Sequence, residues 1–311
     1  MPTFPTADVD ASAALEDPFR CGTTDTAARK YGFPARLWTE KTQPGFGIFV
    51  RRSVAVAAMA VRVITVDLWN TLVGAAGNTQ RQAERQRSVR RYAERLGREL
   101  SDDEIAMAFR EAWRYYNALW RGQHRTPVPR ELAAVVWRSL GMPEEPRLIE
   151  QLAEELAEGV LAVPPPLLPA VREILPQLAE RYRLALISDT AFSPGCVLRE
   201  LLRRYGLAEL FSAYSFSDET GVAKPHPRAY LTVLDELRAR PEEALHIGDL
   251  EETDVRGAKR LGMQAILFLG DPESEFPPPE RTSADCIAYS WREVPDLIPQ
   301  LQDSDRANAA P

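Results

Sequence analysis

Several stretches of this 311-residue chain carry side chains suited to charge-driven chemistry. Asp67 closes a β-branched apolar run, with Thr71 shortly after it. Ser188-Asp189 closes a second apolar run. Lys224 stands in a proline-bearing loop. Gly248-Asp249 ends a third run, and Asp254 follows. Carboxylates can hold a hard divalent cation, and a lysine can neutralise an oxyanion. A carboxylate can also act as the nucleophile, splitting one hard displacement into two through an acyl-phosphate. Each residue has a plainer reading when taken alone. Asp67 could be a structural acid, Ser188-Asp189 a turn or cap, and Lys224 an ordinary loop lysine. Asp249 and Asp254 could be acids favoured by a helix N-terminus.

The elements that must position these residues are legible in outline. Residues 61–66 form a short β-branched run, as expected of a strand buried on both faces. Residues 78–159 read almost wholly as helix, with Ser101-Asp102-Asp103-Glu104 forming a capping box that opens a helix to about residue 120. After Pro164-Pro165-Pro166 the chain alternates. Strands are expected near 184–188, 214–216, 244–247, 265–269 and 286–289. Helices are expected at 168–180, 195–205, 227–239, 253–261 and 293–301. Such alternation specifies an α/β fold, a doubly wound parallel sheet covered by helices on both faces. The helical block is then an inserted α-helical cap over the sheet's carboxyl edge, where ligands bind in such folds. The expected organisation is a loosely attached extension at 1–58, a core at 59–76 and 165–302, a cap at 77–164, and a frayed tail at 303–311. Met59 is a candidate translation start.

Composition excludes several classes. The net charge is −7, the wrong sign for binding a nucleic-acid backbone. The arginines of 81–98 are interspersed with Glu84, Glu94 and Glu99, which reads as a solvated helix face. No apolar run approaches the roughly 20 residues of a membrane span. Cys21, Cys196 and Cys286 form no disulfide or zinc pattern, so a cytoplasmic setting is expected. His124, His226 and His246 make no H-E-x-x-H motif. His246 reads as a core histidine, His226 is given no role, and Glu251 and Glu252 read as helix-terminal acids. Trp113, Tyr116, Trp120 and Trp137 read as the core of the insertion.

The stretches Val66-Asp67-Leu68-Trp69-Asn70-Thr71-Leu72, Leu186-Ile187-Ser188-Asp189, Gly221-Val222-Ala223-Lys224-Pro225-His226-Pro227 and His246-Ile247-Gly248-Asp249-Leu250-Glu251-Glu252-Thr253-Asp254 resemble, in order, the motifs of the haloacid-dehalogenase-like superfamily. The resemblance implies a Rossmann-like core, a helical cap, Mg²⁺ as cofactor and a small phosphorylated substrate. It implies Asp67 as nucleophile, Thr71 positioning the following loop, and Ser188 bonding the transferring group. Asp189 joins the phosphate-binding set, and Lys224 stabilises the nucleophile and the developing charge. The implied metal set is Asp67, the Trp69 main-chain carbonyl, Asp249 and Asp254, with Asp254 orienting Lys224 or the metal's water shell. One position departs from the pattern. Phosphatases of this superfamily carry a second aspartate where Trp69 stands, and indole cannot replace its acid–base help, worth about 10²–10⁴ in rate. The substrate then has a good leaving group, or a cap residue such as His124 substitutes. The alternatives are carbon–halogen hydrolysis of a 2-haloacid, where an aromatic residue resembles Trp69, and a non-catalytic phosphate-binding protein.

Overall fold

The computed structural model describes residues 60–309, with side chains described through Leu301. The expected extension and Met59 lie outside the described residues. Strand β1 (Val63–Val66) is buried along its whole length. Its neighbours are β2 (Arg183–Ser188), β3 (Phe211–Phe216), β4 (Ala244–Gly248), β5 (Gln264–Phe268) and β6 (Cys286–Ala288). The sheet order is β3-β2-β1-β4-β5-β6, with every pairing parallel. From β1 the chain winds outward to β3, then returns to place β4 on the other side of β1. A topological switch point therefore lies between β1 and β4, the place where open α/β sheets form a crevice.

Alternation along β1 feeds two cores. Ile64 and Val66 pack with Leu186, Ile247 and Leu175 on one face. Val63 packs with Ala185, Tyr230 and Val233 on the other. The covering helices include α5 (Val171–Ala179), α6 (Gly195–Tyr205), α8 (Pro227–Glu236) and α10 (Val294–Ala309), with a four-residue α7 (Ser217–Thr220) after β3. Two ends differ from expectation. The helix after β4 opens as a π turn, Glu251–Val255, before α9 (Arg256–Arg260). The tail expected to fray continues as helix to Ala309.

Between β1 and β2 lie α1 (Asn78–Arg95), α2 (Asp102–Gln123), α3 (Pro129–Ser139) and α4 (Pro146–Ala162). Ser101 caps α2 through the reciprocal Ser101–Glu104 capping box. These helices share their own core of Tyr92, Phe109, Leu132, Trp137 and Leu152, joined by Phe192 from the loop after β2.

Candidate active site

Register explains why distant residues meet. Val66 lies opposite Leu186 on one side and Ile247 on the other, so the residues just beyond these strands emerge at one edge. The Asp67 N–H donates to the Ile247 carbonyl at 2.9 Å, which fixes the turn out of β1. Lys224 reaches in from the loop between α7 and α8. Its Nζ donates to Asp67 Oδ1 and, at 2.6 Å, to Asp254 Oδ1. All three side chains are buried.

Asp254 is held from every side. Its Oδ1 also meets His246 Nε2 at 3.0 Å, while Oδ2 accepts from Leu250 N at 3.0 Å and Thr253 Oγ1 at 3.3 Å. Gly248 makes this approach possible, because a Cβ there would stand 2.5 Å from Asp254 Cγ. His246 faces Thr65 across the β1–β4 pair, and its Nδ1 lies 2.8 Å from Thr65 Oγ1. It is the buried, satisfied histidine expected, and it also anchors Asp254. Asp249 accepts from Asn70 Nδ2 at 3.1 Å. Asn70 adopts the left-handed conformation (φ 55°), which asparagine tolerates better than most residues.

The electrostatics are lopsided. Burial would raise the Asp254 pKa, but Lys224 and His246 hold it well below the usual carboxylate range. Burial would lower Lys224, yet Asp254 and Asp67 keep it firmly protonated. Asp67 is pushed up to about 7, first by burial and then by Asp254, against the pull of Lys224. Burial and the Asp67 carboxylate push Asp249 well above its ordinary value. One ammonium thus serves several crowded carboxylates. Two hydroxyls, Thr71 Oγ1 and Ser188 Oγ, are buried with no hydrogen-bond partner among the described residues. Left unmet, such groups cost free energy.

The structure changes the setting of some expected residues. Asp189, expected to bind phosphate, accepts the Lys224 main-chain N–H at Oδ1 (3.0 Å) and Trp120 Nε1 at Oδ2 (2.9 Å). A carboxylate so engaged has no donor to offer an anion. Asp254, expected in the metal set, has both oxygens occupied by protein donors. Trp120 is not confined to the core of the insertion, and Trp113 is partly exposed; Trp137 is fully buried as expected. His226 caps α8 by accepting the Arg228 N–H at 3.1 Å. Glu251 is buried and bonded by Thr282 and Ser283. Only the alternation of Thr65 in a buried strand hints at its pairing with His246, and nothing in the sequence marks the Trp120–Asp189 contact.

These features define a Rossmann-like α/β protein whose site gathers carboxylates around a single lysine at the switch point. A family model described as haloacid dehalogenase-like hydrolase matches residues 61–262, and the chain belongs to that family. It is similar to the glyceraldehyde 3-phosphate phosphatase of Methanopyrus kandleri, 29% identical over 174 residues, 55% of this chain and 68% of that one. The phosphoserine phosphatase of Thermus thermophilus is 36% identical over 151 residues, 48% of this chain and 56% of the relative. The chain thus spans about two thirds or less of the length of these relatives. Among solved structures, 2-haloacid dehalogenase from Pseudomonas syringae pv. Tomato DC3000 aligns with a TM-score of 0.59 at 22% identity. That alignment covers 77% of this chain and 99% of the other, a likeness of fold. No helix among the described residues is long and apolar enough to cross a membrane.

Proposed function

We propose that this chain is a Mg²⁺-dependent phosphatase that acts on a small phosphorylated metabolite through Asp67. The observation that carries the reading is the buried Lys224 ammonium bonded to both Asp67 and Asp254, with two buried hydroxyls, Thr71 after β1 and Ser188 at the end of β2, unpartnered among the described residues. Asp67 attacks phosphorus as the bond to the leaving oxygen breaks, giving an acyl-phosphate on Asp67. Water then attacks that phosphorus, releasing inorganic phosphate and restoring the carboxylate. Lys224 offsets charge at the nucleophile and the transferring oxygens, and Thr71 and Ser188 bond the transferring group. Asp254, fully engaged by protein donors, orients Lys224. The relatives named as phosphatases support the same reading. The helices of 77–164 serve as the cap that selects the substrate.

The donor set fits Mg²⁺. Among the described residues no three His, Cys, Asp or Glu side chains cluster as a metal site. Asp67 and Asp249 with the Trp69 carbonyl suit an ion that takes one or two carboxylates and keeps its waters. The bound ion would supply charge neutralisation at the phosphoryl oxygens. The cytoplasm is the proposed compartment, because Cys21, Cys196 and Cys286 make no disulfide pattern in the sequence.

Trp69 is half-buried against the core and offers no carboxyl group. Leaving oxygens that need no proton, as in acyl phosphates and anhydrides, suit such a site. Trp69→Asp is expected to raise turnover of unactivated phosphate esters by about tenfold or more, read as phosphate release. No gain in a folded variant would mean that the pocket was built for another reaction. The aromatic side chain at this position also keeps 2-haloacid hydrolysis as a second reading. A panel of phosphate esters, acyl phosphates and 2-haloacids, run with Mg²⁺ and with EDTA, separates them. Phosphate release lost in EDTA is the expected result. Halide release that persists in EDTA would establish the dehalogenase instead.

A further inference from the structure

Helix α2 ends against the loops that carry the site, and it touches them in succession. Trp120, near its last turn, donates Nε1 to Asp189 Oδ2 at 2.9 Å. The carbonyl of His124, the left-handed residue that closes the helix, accepts the Ala223 N–H at 2.7 Å. Thr126 Oγ1 meets Ser217 Oγ at 2.5 Å, and that same oxygen accepts the Thr190 N–H at 2.8 Å. Of the core residues touched, Asp189 adjoins Ser188 and Ala223 adjoins Lys224 in the chain.

Asp189 is the joint of this arrangement. One of its oxygens takes the indole of the insertion, and the other takes the main-chain N–H of Lys224 at 3.0 Å. We propose that Trp120 is a positioning residue for Lys224. Through Asp189 it fixes the backbone from which the ammonium reaches Asp67 and Asp254. The lysine is therefore correctly placed only while the end of α2 is seated, which couples the helical insertion to the reacting groups. The kinetic part of this inference rests on the phosphatase reading above; the linkage itself does not.

Hydrogen bonds to a carboxylate are among the stronger ones, and Trp120→Phe deletes the donor while keeping an aromatic ring. In the full chain, this substitution is expected to speed amide hydrogen exchange at Lys224 and Ala223 by about tenfold, with β1 and β4 amides unchanged. A merely structural loss would speed the strands as well. The kcat for a small acyl phosphate is expected to fall about tenfold, with KM within about threefold. Asp189→Asn keeps an oxygen for the Lys224 N–H but turns an amide nitrogen toward the indole. It should match the Trp120→Phe loss, and the double variant should be no worse than either single one. Unchanged exchange at Lys224, or additive losses in the double variant, overturns the proposal. Should the parent show no Asp67-dependent turnover, the phosphatase reading fails and the exchange rates alone decide the linkage.

Discussion

Asp67→Asn is expected to reduce phosphate release by on the order of 10⁴-fold or more while leaving the protein folded. An amide oxygen is too weak a nucleophile to displace even an activated leaving group, so the first of the two steps is lost. The fold should tolerate the change for a specific reason. Burial, and after it the charge of Asp254, pushes the Asp67 carboxyl up to about 7. Asparagine removes that repulsion and keeps an oxygen for Lys224 Nζ. Thermal unfolding and phosphate release from one preparation check both halves. A stable variant that retains more than about a hundredth of the parent rate would remove Asp67 from the nucleophile's role.

Lys224→Met is expected to be damaging in both activity and stability. It leaves Asp67 and Asp254 buried without their shared cation. Removing one partner of a buried ion pair costs about 3–5 kcal/mol, or on the order of 10 °C in Tm for a domain of this size. The sign of the pH dependence follows from the charges left behind. In the parent, Asp254 is held below its unfolded pKa, so its contribution is present above pH 4 and fades as pH falls. In the variant, burial without a cation raises the folded carboxylate pKa values above their unfolded values. The native state then binds more protons than the unfolded state, and stability falls as pH rises through that window. The gap between parent and variant should be widest near pH 8 and narrow toward pH 5. Urea unfolding in EDTA at both pH values measures it. Equal stability of the two proteins at pH 8 would mean that the ammonium is not needed to offset these acids.

Much of this cluster is legible in the sequence. Asp67, Ser188 and Asp249 end apolar runs, and strands buried on both faces leave that signature because neither face can carry charge. Lys224 is marked only by the resemblance of its loop to a motif, since a loop lysine has no signature of its own. What stayed hidden depends on partners chosen in three dimensions. The saturation of Asp254 requires the π turn that bends Glu251–Val255 back over Gly248. The contact of Trp120 with Asp189 depends on how α2 lies across the sheet edge, and helical spacing alone assigns that tryptophan to a helix–helix core. Glu251 reads as a helix-terminal acid because its partners, Thr282 and Ser283, lie in a distant loop.

The winding of the sheet bears on how the protein is made. Asn70 and Asp249 meet across 179 positions, and Lys224 reaches Asp67 across 157. The helical insertion, with its nearby contacts, can collapse early during synthesis on the ribosome, whereas β1 waits for β4 to emerge. Until then the first strand lacks its partner on one side, and Asp67 lacks the Asp254 carboxylate that shares Lys224 with it. The nascent chain thus lacks the assembled Asp67–Lys224–Asp254 cluster for most of its translation, and any product truncated before Asp254 cannot form it.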